Sequence, residues 1–234
     1  MEKNLNYLVV IPARGGSKRI PKKNIKLLNN IPLIQYTIDA ARNIFKDNLI
    51  CVSTDDLEII EFVESLGLKV PFIRPYEISN DSATSNDVLL HSVNYFKSKG
   101  YNPDVVILLQ PTSPFRTSNH ILEAIDLLDD ACDSVFSVTK FDPNPHNVIF
   151  NEYENGFLKK NQSNMQSFNT EVKSYYKLNG AIYIYKSCLF DEFEVNEPSF
   201  TRKYLMSDYL SIDIDTEFDW AIAEGVINNY KISL

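Results

Sequence analysis

Cysteine, glycine and histidine are all scarce in this chain of 234 residues, with three, seven and three copies. Cys51, Cys132 and Cys188 are odd in number and far apart, which excludes a disulfide framework and a cysteine-based zinc site. Cys51 and Cys188 fall in or beside apolar strand-like runs and are read as buried structural thiols in a reduced, cytoplasmic setting. His91, His120 and His146 have no Ser and Asp companions at telling positions and no ligand spacing, so no hydrolytic triad follows. His91 and His120 are expected on helix surfaces. Long apolar runs are missing as well: the first run, residues 7–11, is far too short for a signal-peptide core or a membrane span. Repeats and low-complexity tracts are also lacking. With 44% hydrophobic residues, one large domain over 1–234 is expected to bury a full core.

Positive charge is in deficit overall, with a formal net charge of -8, yet it is concentrated at one place. Arg14, Lys18, Arg19, Lys22, Lys23 and Lys26, six of the 23 Lys and Arg residues, occupy 13 consecutive positions after the first apolar run. An acidic chain with one cationic loop suits a compact polyanion rather than a nucleic acid, which needs a broad basic surface. The expected ligand is a nucleotide. The chain's one Gly-Gly pair, Gly15 and Gly16, lies in this loop and would let backbone amides approach phosphate oxygens, while Arg14, Lys18 and Lys23 offset the charge. The loop matches neither the Gly-Lys-Ser/Thr ending of P-loops nor the spaced glycines of dinucleotide domains. Taken alone, it reads equally as a glycine turn flanked by solvated lysines.

Short apolar runs at 7–11, 49–52, 104–109 and 134–138 alternate with helical spacings such as Ile34, Ile38 and Ala41, or Val88, Leu89, Val93 and Phe96. Ser118 is expected to cap one helix, and a last helix follows Asp215. The fold class is therefore α/β: a doubly wound, mostly parallel sheet. The alternation breaks over about 140–178, a Pro-, Asn- and Gln-rich excursion before a strand at 179–185.

In such sheets ligands bind at the carboxyl ends of the strands. Four loops meet that edge: the cationic loop, Ser53-Thr54-Asp55, the segment 110–116 carrying Gln110 and Arg116, and Ser211 to Thr216. Prolines at 111 and 114 stiffen the delivery of Gln110 and Arg116, whose bland alternatives are a strand cap and a surface ion pair. Arg74, with the hydroxyl-rich stretch 79–85, suits a pyrimidine base and ribose. Asp213 and Asp215 alternate with Ile212 and Ile214, so an extended chain turns both carboxylates to one side. Two parallel carboxylates repel unless a cation such as Mg²⁺ joins them; alternatively, Asp215 caps the last helix.

The motifs Ile-Pro-Ala-Arg-Gly-Gly-Ser-Lys at 11–18, Ile-Pro-Lys-Lys-Asn at 20–24, Val-Ser-Thr-Asp at 52–55, Arg74-Pro75, Leu-Gln-Pro-Thr-Ser-Pro-Phe-Arg at 109–116, Asn-Gly-Ala-Ile-Tyr at 179–183 and Ser-Ile-Asp-Ile-Asp-Thr at 211–216 together resemble the acylneuraminate cytidylyltransferases, the CMP-sialic acid synthetase family. The resemblance runs in order over nearly the whole chain. It implies a Rossmann-like nucleotidyltransferase fold with an inserted dimerisation arm, a homodimer, and a Mg²⁺-assisted reaction of CTP with a nonulosonic sugar acid that releases pyrophosphate. It further implies nucleotide contacts from Ala13, Arg14, Gly15, Ser17, Lys18, Lys23, Asn24, Arg74 and Ser85, sugar contacts from Gln110, Arg116, Asn179 and Tyr183, and Mg²⁺ on Asp213 and Asp215, with Arg14, Lys18 and Lys23 also catalytic. Departures lie in the sugar half. Typical sialate enzymes of this family carry a Lys after a His-Pro pair in the arm and an Arg-Gln pair upstream of the Asn-Gly-Ala-Ile-Tyr strand, where this chain has Pro145-His146-Asn147 and Phe168-Asn169-Thr170. Lys173 or Lys177 are the candidate replacements, and N-acetylneuraminic, legionaminic and pseudaminic acids all stay open. The other readings are a nucleotidyltransferase for 3-deoxy-octulosonate or a sugar 1-phosphate, and a nucleotide-binding module or glycosyltransferase without this activity.

Overall fold

In the computed structural model, which describes residues 5–141, 150–152, 158–160 and 174–230, the first apolar run becomes strand β1 (Tyr7–Pro12). Its residues alternate between two cores. Val9 and Ile11 pack with Ile34 and Ile38 of α1 (Leu33–Arg42), Ile59 and Val63 of α2 (Leu57–Ser65), and Ile121 and Ala124 of α4 (Ser118–Asp126). Leu8 and Val10 face the other way, onto Val88, Leu89 and Val93 of α3 (Ser85–Ser98). A strand covered on both faces reads as a continuous apolar run because neither side meets water.

Two residues with positive φ, Asn29 (49°) and Asn30 (65°), close a hairpin between β2 (Leu27–Leu28) and β3 (Ile31–Pro32), as a two-residue turn of that hand requires. The main sheet adds β4 (Ile50–Ser53), β5 (Val105–Leu108), β6 (Ser134–Phe141), β9 (Tyr175–Lys186) and β10 (Thr201–Leu205); β7 (Phe150–Glu152) and β8 (Leu158–Lys160) form a separate antiparallel pair. The order is β10-β6-β9-β5-β1-β4, parallel except for β9. The chain reverses its direction of winding at β1, flanked by β4 and β5, which opens a crevice at their carboxyl ends. Because β9 runs antiparallel, its early residues, Asn179 and Gly180, lie at that same edge.

The excursion is shorter than expected, since Phe141 still pairs with Tyr175 and Lys140 with Tyr176. Beyond β7 and β8, the expected arm, including Lys173 and the stretches 145–147 and 168–170, lies outside the described residues. Two further expectations are corrected. Thr117, not Ser118, is the N-cap of α4, because the Thr117 amide donates to His120 Nδ1 at 3.1 Å. Cys188 is exposed, since it sits on a surface turn after β9, whereas Cys51 is buried and its thiol is pushed up to about 12. Among the described residues, no helix is long and apolar enough to cross a membrane.

Candidate active site

The last helix, α5 (Glu217–Tyr230), seats the site. Its Trp220 and Ala223 join Ile20 of the cationic loop, Phe115 and Ile214 in a third apolar cluster, so burial fixes the loop and the acidic segment against one another. Lys23 completes the clamp. Its side chain is 13% exposed and donates to the Ile214 carbonyl at 2.8 Å and to Asp215 Oδ1 at 3.0 Å.

The cationic loop surrounds a cavity of about 380 Å³ lined by Arg14, Ser17, Lys18, Arg19, Ile20, Lys23, Asp81 and Asp215. Ala13 anchors its start, its amide donating to the Ser53 carbonyl at 2.9 Å. The Gly15 amide donates to Asp55 Oδ1 at 3.1 Å, and a Cβ at Gly15 would stand 2.7 Å from the Asp56 Cβ, so glycine is needed here for packing against the cap of α2. Among the described residues nothing lies within 4 Å of a Cβ at Gly16. Asn24 is buried and donates to the Arg14 carbonyl at 3.0 Å, shaping the loop from beneath.

Beside it lies a second cavity of about 210 Å³, lined by Arg74, Thr84, Ser85, Val88 and Gln110 and sharing Arg14 and Asp81 with the first. Arg74 is 4% exposed, yet among the described residues its Nε and Nη2 have no hydrogen-bond partner, and Asp55 Oδ1 stands 3.6 Å from Nη2. Burial lowers the Arg74 pKa, partly opposed by Asp55. A buried guanidinium with free donors in a cavity wall is costly unless a ligand accepts from it. His91, expected on a surface, is instead half-buried edge-on against Phe72, 4.5 Å between ring centres, and its pKa is lowered by burial and by Arg74.

Residues 211–216 do not join the sheet, but the alternation survives: Ile214 is buried while Asp213 and Asp215 turn outward. The Ile214 amide donates to the Thr112 carbonyl at 2.8 Å. Asp215 does not cap α5. Thr216 and Asp219 do, with the Thr216 amide donating to Asp219 Oδ2 at 2.8 Å and the Asp219 amide to Thr216 Oγ1 at 3.3 Å. Asp215 pairs with Lys23 and, at 3.6 Å, with Arg19. Asp213 is exposed as a residue, while its carboxyl sits against Gly180 and Thr112. Its pKa is raised chiefly by partial desolvation of the carboxyl and also by Asp215, against a hydrogen bond from Thr112. Gly180, at φ +77°, leaves room for converging oxygens: a Cβ there would meet Gln110 Oε1 at 2.9 Å, Ser113 Oγ at 3.1 Å and Asp213 Oδ2 at 3.3 Å. No cluster of three or more metal-ligating side chains exists among the described residues. The carboxylate pair fits an oxygen-seeking cation that takes its other ligands from phosphate and water.

Two expected sugar contacts are placed otherwise. Arg116 is 1% exposed and points into the fold, donating to the Gln110 carbonyl at 3.1 Å, the Ala181 carbonyl at 2.8 Å and Thr37 Oγ1; burial pulls its pKa down to about 9. Asn179 is 4% exposed, with Oδ1 accepting from Ser137 Oγ and the Ala181 amide and Nδ2 donating to Ser211 Oγ. Both hold the floor of the crevice. Gln110 and Tyr183 remain near Asp213, and a third cavity of about 230 Å³ beside that residue is lined by Thr139, Lys177, Ser211 and Asp219. Asp55 belongs to the loop 53–55 and the motif at 52–55, but nothing in the sequence marks its bond to the Gly15 amide; Asp81 stands in the sequence only as one polar residue of the stretch 79–85.

A family model described as cytidylyltransferase matches residues 8–219. The chain is 34% identical to the CMP-N,N'-diacetyllegionaminic acid synthase of Legionella pneumophila, over 95% of this chain and 97% of that one. It is 30% identical to a pseudaminic acid cytidylyltransferase of Campylobacter jejuni, over 98% of each. In fold it is similar to a CMP:2-keto-3-deoxy-manno-octonic acid synthetase solved with CTP, at a TM-score of 0.66 and 18% identity, covering 96% of this chain and 99% of that one. On the family match and these end-to-end relatives, the chain belongs to the cytidylyltransferases, of the acylneuraminate type.

Proposed function

We propose that this protein joins CMP from CTP to a nonulosonic sugar acid with release of pyrophosphate. One observation carries the reading: two adjoining cavities share Arg14 and Asp81, one rich in cations, the other walled by a buried guanidinium with free donors. The first suits a triphosphate and the second a pyrimidine with its ribose. Lys177, exposed at the rim of the cavity beside Asp213, is the cation there and suits the carboxylate of the sugar acid.

The sugar 2-hydroxyl attacks the α-phosphorus in line, the bond to the β-phosphate oxygen breaks, and pyrophosphate leaves while the hydroxyl proton passes to solvent. Arg14, Lys18 and Lys23 offset charge that builds on the phosphates. Arg74 and Ser85 orient the base, and Gln110 and Tyr183 face the sugar. Ala13, Gly15, Ser17 and Asn24 fix or line the loop. Asp213 and Asp215 would hold Mg²⁺, which supplies charge neutralisation at the triphosphate when bound. The pair fits, because burial and the neighbouring Asp215 both disfavour the charged form of Asp213, a penalty that a cation removes.

A homodimer in which the excursion reaches the neighbouring subunit belongs to this reading. It is supported by Leu178 and Leu205, 51% and 55% exposed, which flank Val138 on either side where the excursion departs. CTP as substrate makes the cytoplasm the expected location. The test is pyrophosphate release from CTP and Mg²⁺ with N-acetylneuraminic, legionaminic, pseudaminic and 3-deoxy-octulosonic acids. Release with a nonulosonic acid is expected; release only with the octulosonic acid, or with none, would overturn the proposal.

A further inference from the structure

Asp81 has no part in that chemistry, yet it brings a negative charge into the cavity meant for a triphosphate. Its Oδ1 accepts from Arg14 Nη1 at 2.9 Å and its Oδ2 pairs with Lys18 Nζ. The loop that carries it is shaped from within. Asn80 Oδ1 accepts from the Ser82 amide at 2.9 Å, Ser82 Oγ at 2.6 Å and the Ala83 amide at 3.1 Å, while Asn80 Nδ2 donates to the Glu77 carbonyl at 2.9 Å. None of these bonds needs the cations. The loop meets the cationic loop through Asp81 and through the Asn80 carbonyl, which accepts from Arg14 at 3.1 Å. Arg14, Lys18 and Asp81 are 39%, 79% and 53% exposed, so their pairing is wet and easily exchanged.

We propose that Asp81 is an internal counter-anion: it occupies Arg14 and Lys18 in the nucleotide-free protein and yields them when a triphosphate enters. This rests on the reading of the cavity as a nucleotide site. Three phosphates offer these cations more charge, and a bidentate fit for the guanidinium, than one carboxylate does. The same loop lines the base cavity through Asn80, Ala83 and Thr84, so its release on phosphate entry also reshapes the seat of the base. Phosphate and base recognition are thereby coupled through one loop.

Asp81→Asn removes the charge and keeps the shape. Calorimetric titration with inorganic triphosphate and with CTP, on wild type and variant, is the test, alongside steady-state kinetics. The expected result is binding of inorganic triphosphate about two- to tenfold tighter in the variant, a lower KM for CTP and no rise in kcat. Asp81→Glu, which keeps the charge, should stay near wild type. Binding by Asp81→Asn that is equal to or weaker than wild type, with CTP turnover intact in the wild type, would overturn this proposal alone and make Asp81 a support for the cations. If wild type bound neither ligand, this proposal and the nucleotide reading would fall together.

Discussion

Asp213 concentrates the site's electrostatics in a single residue. The pKa of its carboxyl is raised from the ordinary aspartate value, so the native protein binds this proton more tightly than the unfolded chain does. Stability of the metal-free protein should therefore fall as pH rises through the window just above the ordinary aspartate value, and Asp213→Asn should melt higher than wild type at neutral pH. Added Mg²⁺ should stabilise wild type and leave the variant nearly unchanged; thermal melts at pH 4 and 7, with and without the ion, measure both. In turnover, Asp213→Ala should lose at least about 100-fold in kcat, the scale of removing a major electrostatic contact to the transition state. Arg74→Met makes the complementary case. The folded protein should tolerate loss of a guanidinium whose Nε and Nη2 make no hydrogen bond among the described residues, while KM for CTP rises at least about tenfold.

At the scale of elements, β9 and the start of α5 decide whether the carboxylates are available. Gly180→Ala places a Cβ among Gln110, Ser113 and Asp213 and forces a left-handed residue, at about 1–2 kcal/mol for the backbone alone, so both melting temperature and activity should drop. Gly16→Ala, with room for its Cβ among the described residues, should stay within about 0.5 kcal/mol of wild type in urea unfolding, which separates packing glycines from spacious ones. The elements themselves were largely legible in the sequence: the runs near β1, β4, β5 and β6 were read correctly because strands buried on both faces announce themselves. Ends were less so. Whether Thr117 or Ser118 caps α4, or Asp215 or Thr216 caps α5, depends on which side chain the turn aims at the amides, and adjacent polar residues look alike in sequence.

On the scale of the whole molecule, Arg116 ties α1, the loop after β5 and β9 together from inside. Arg116→Met should cost about 2–4 kcal/mol, because it strips the guanidinium donors from the Gln110 and Ala181 carbonyls and from Thr37, and should lower the urea midpoint without changing its slope. Saturating CTP with Mg²⁺, at a hundredfold excess over Kd, should add about 2.7 kcal/mol of apparent stability, read as a raised melting temperature. Sequence by itself determined the alternation of strand and helix, the cation-rich loop, the carboxylate pair and the kinship they declare, since periodicity, charge and motif are properties of neighbours along the chain. Only the tertiary structure decided that Arg116 and Asn179 turn inward, that His91 packs edge-on against Phe72, and that Asp81 reaches Arg14 and Lys18. A side chain's direction is settled by which partners the sheet order brings within a few ångströms, and those partners lie tens of residues away.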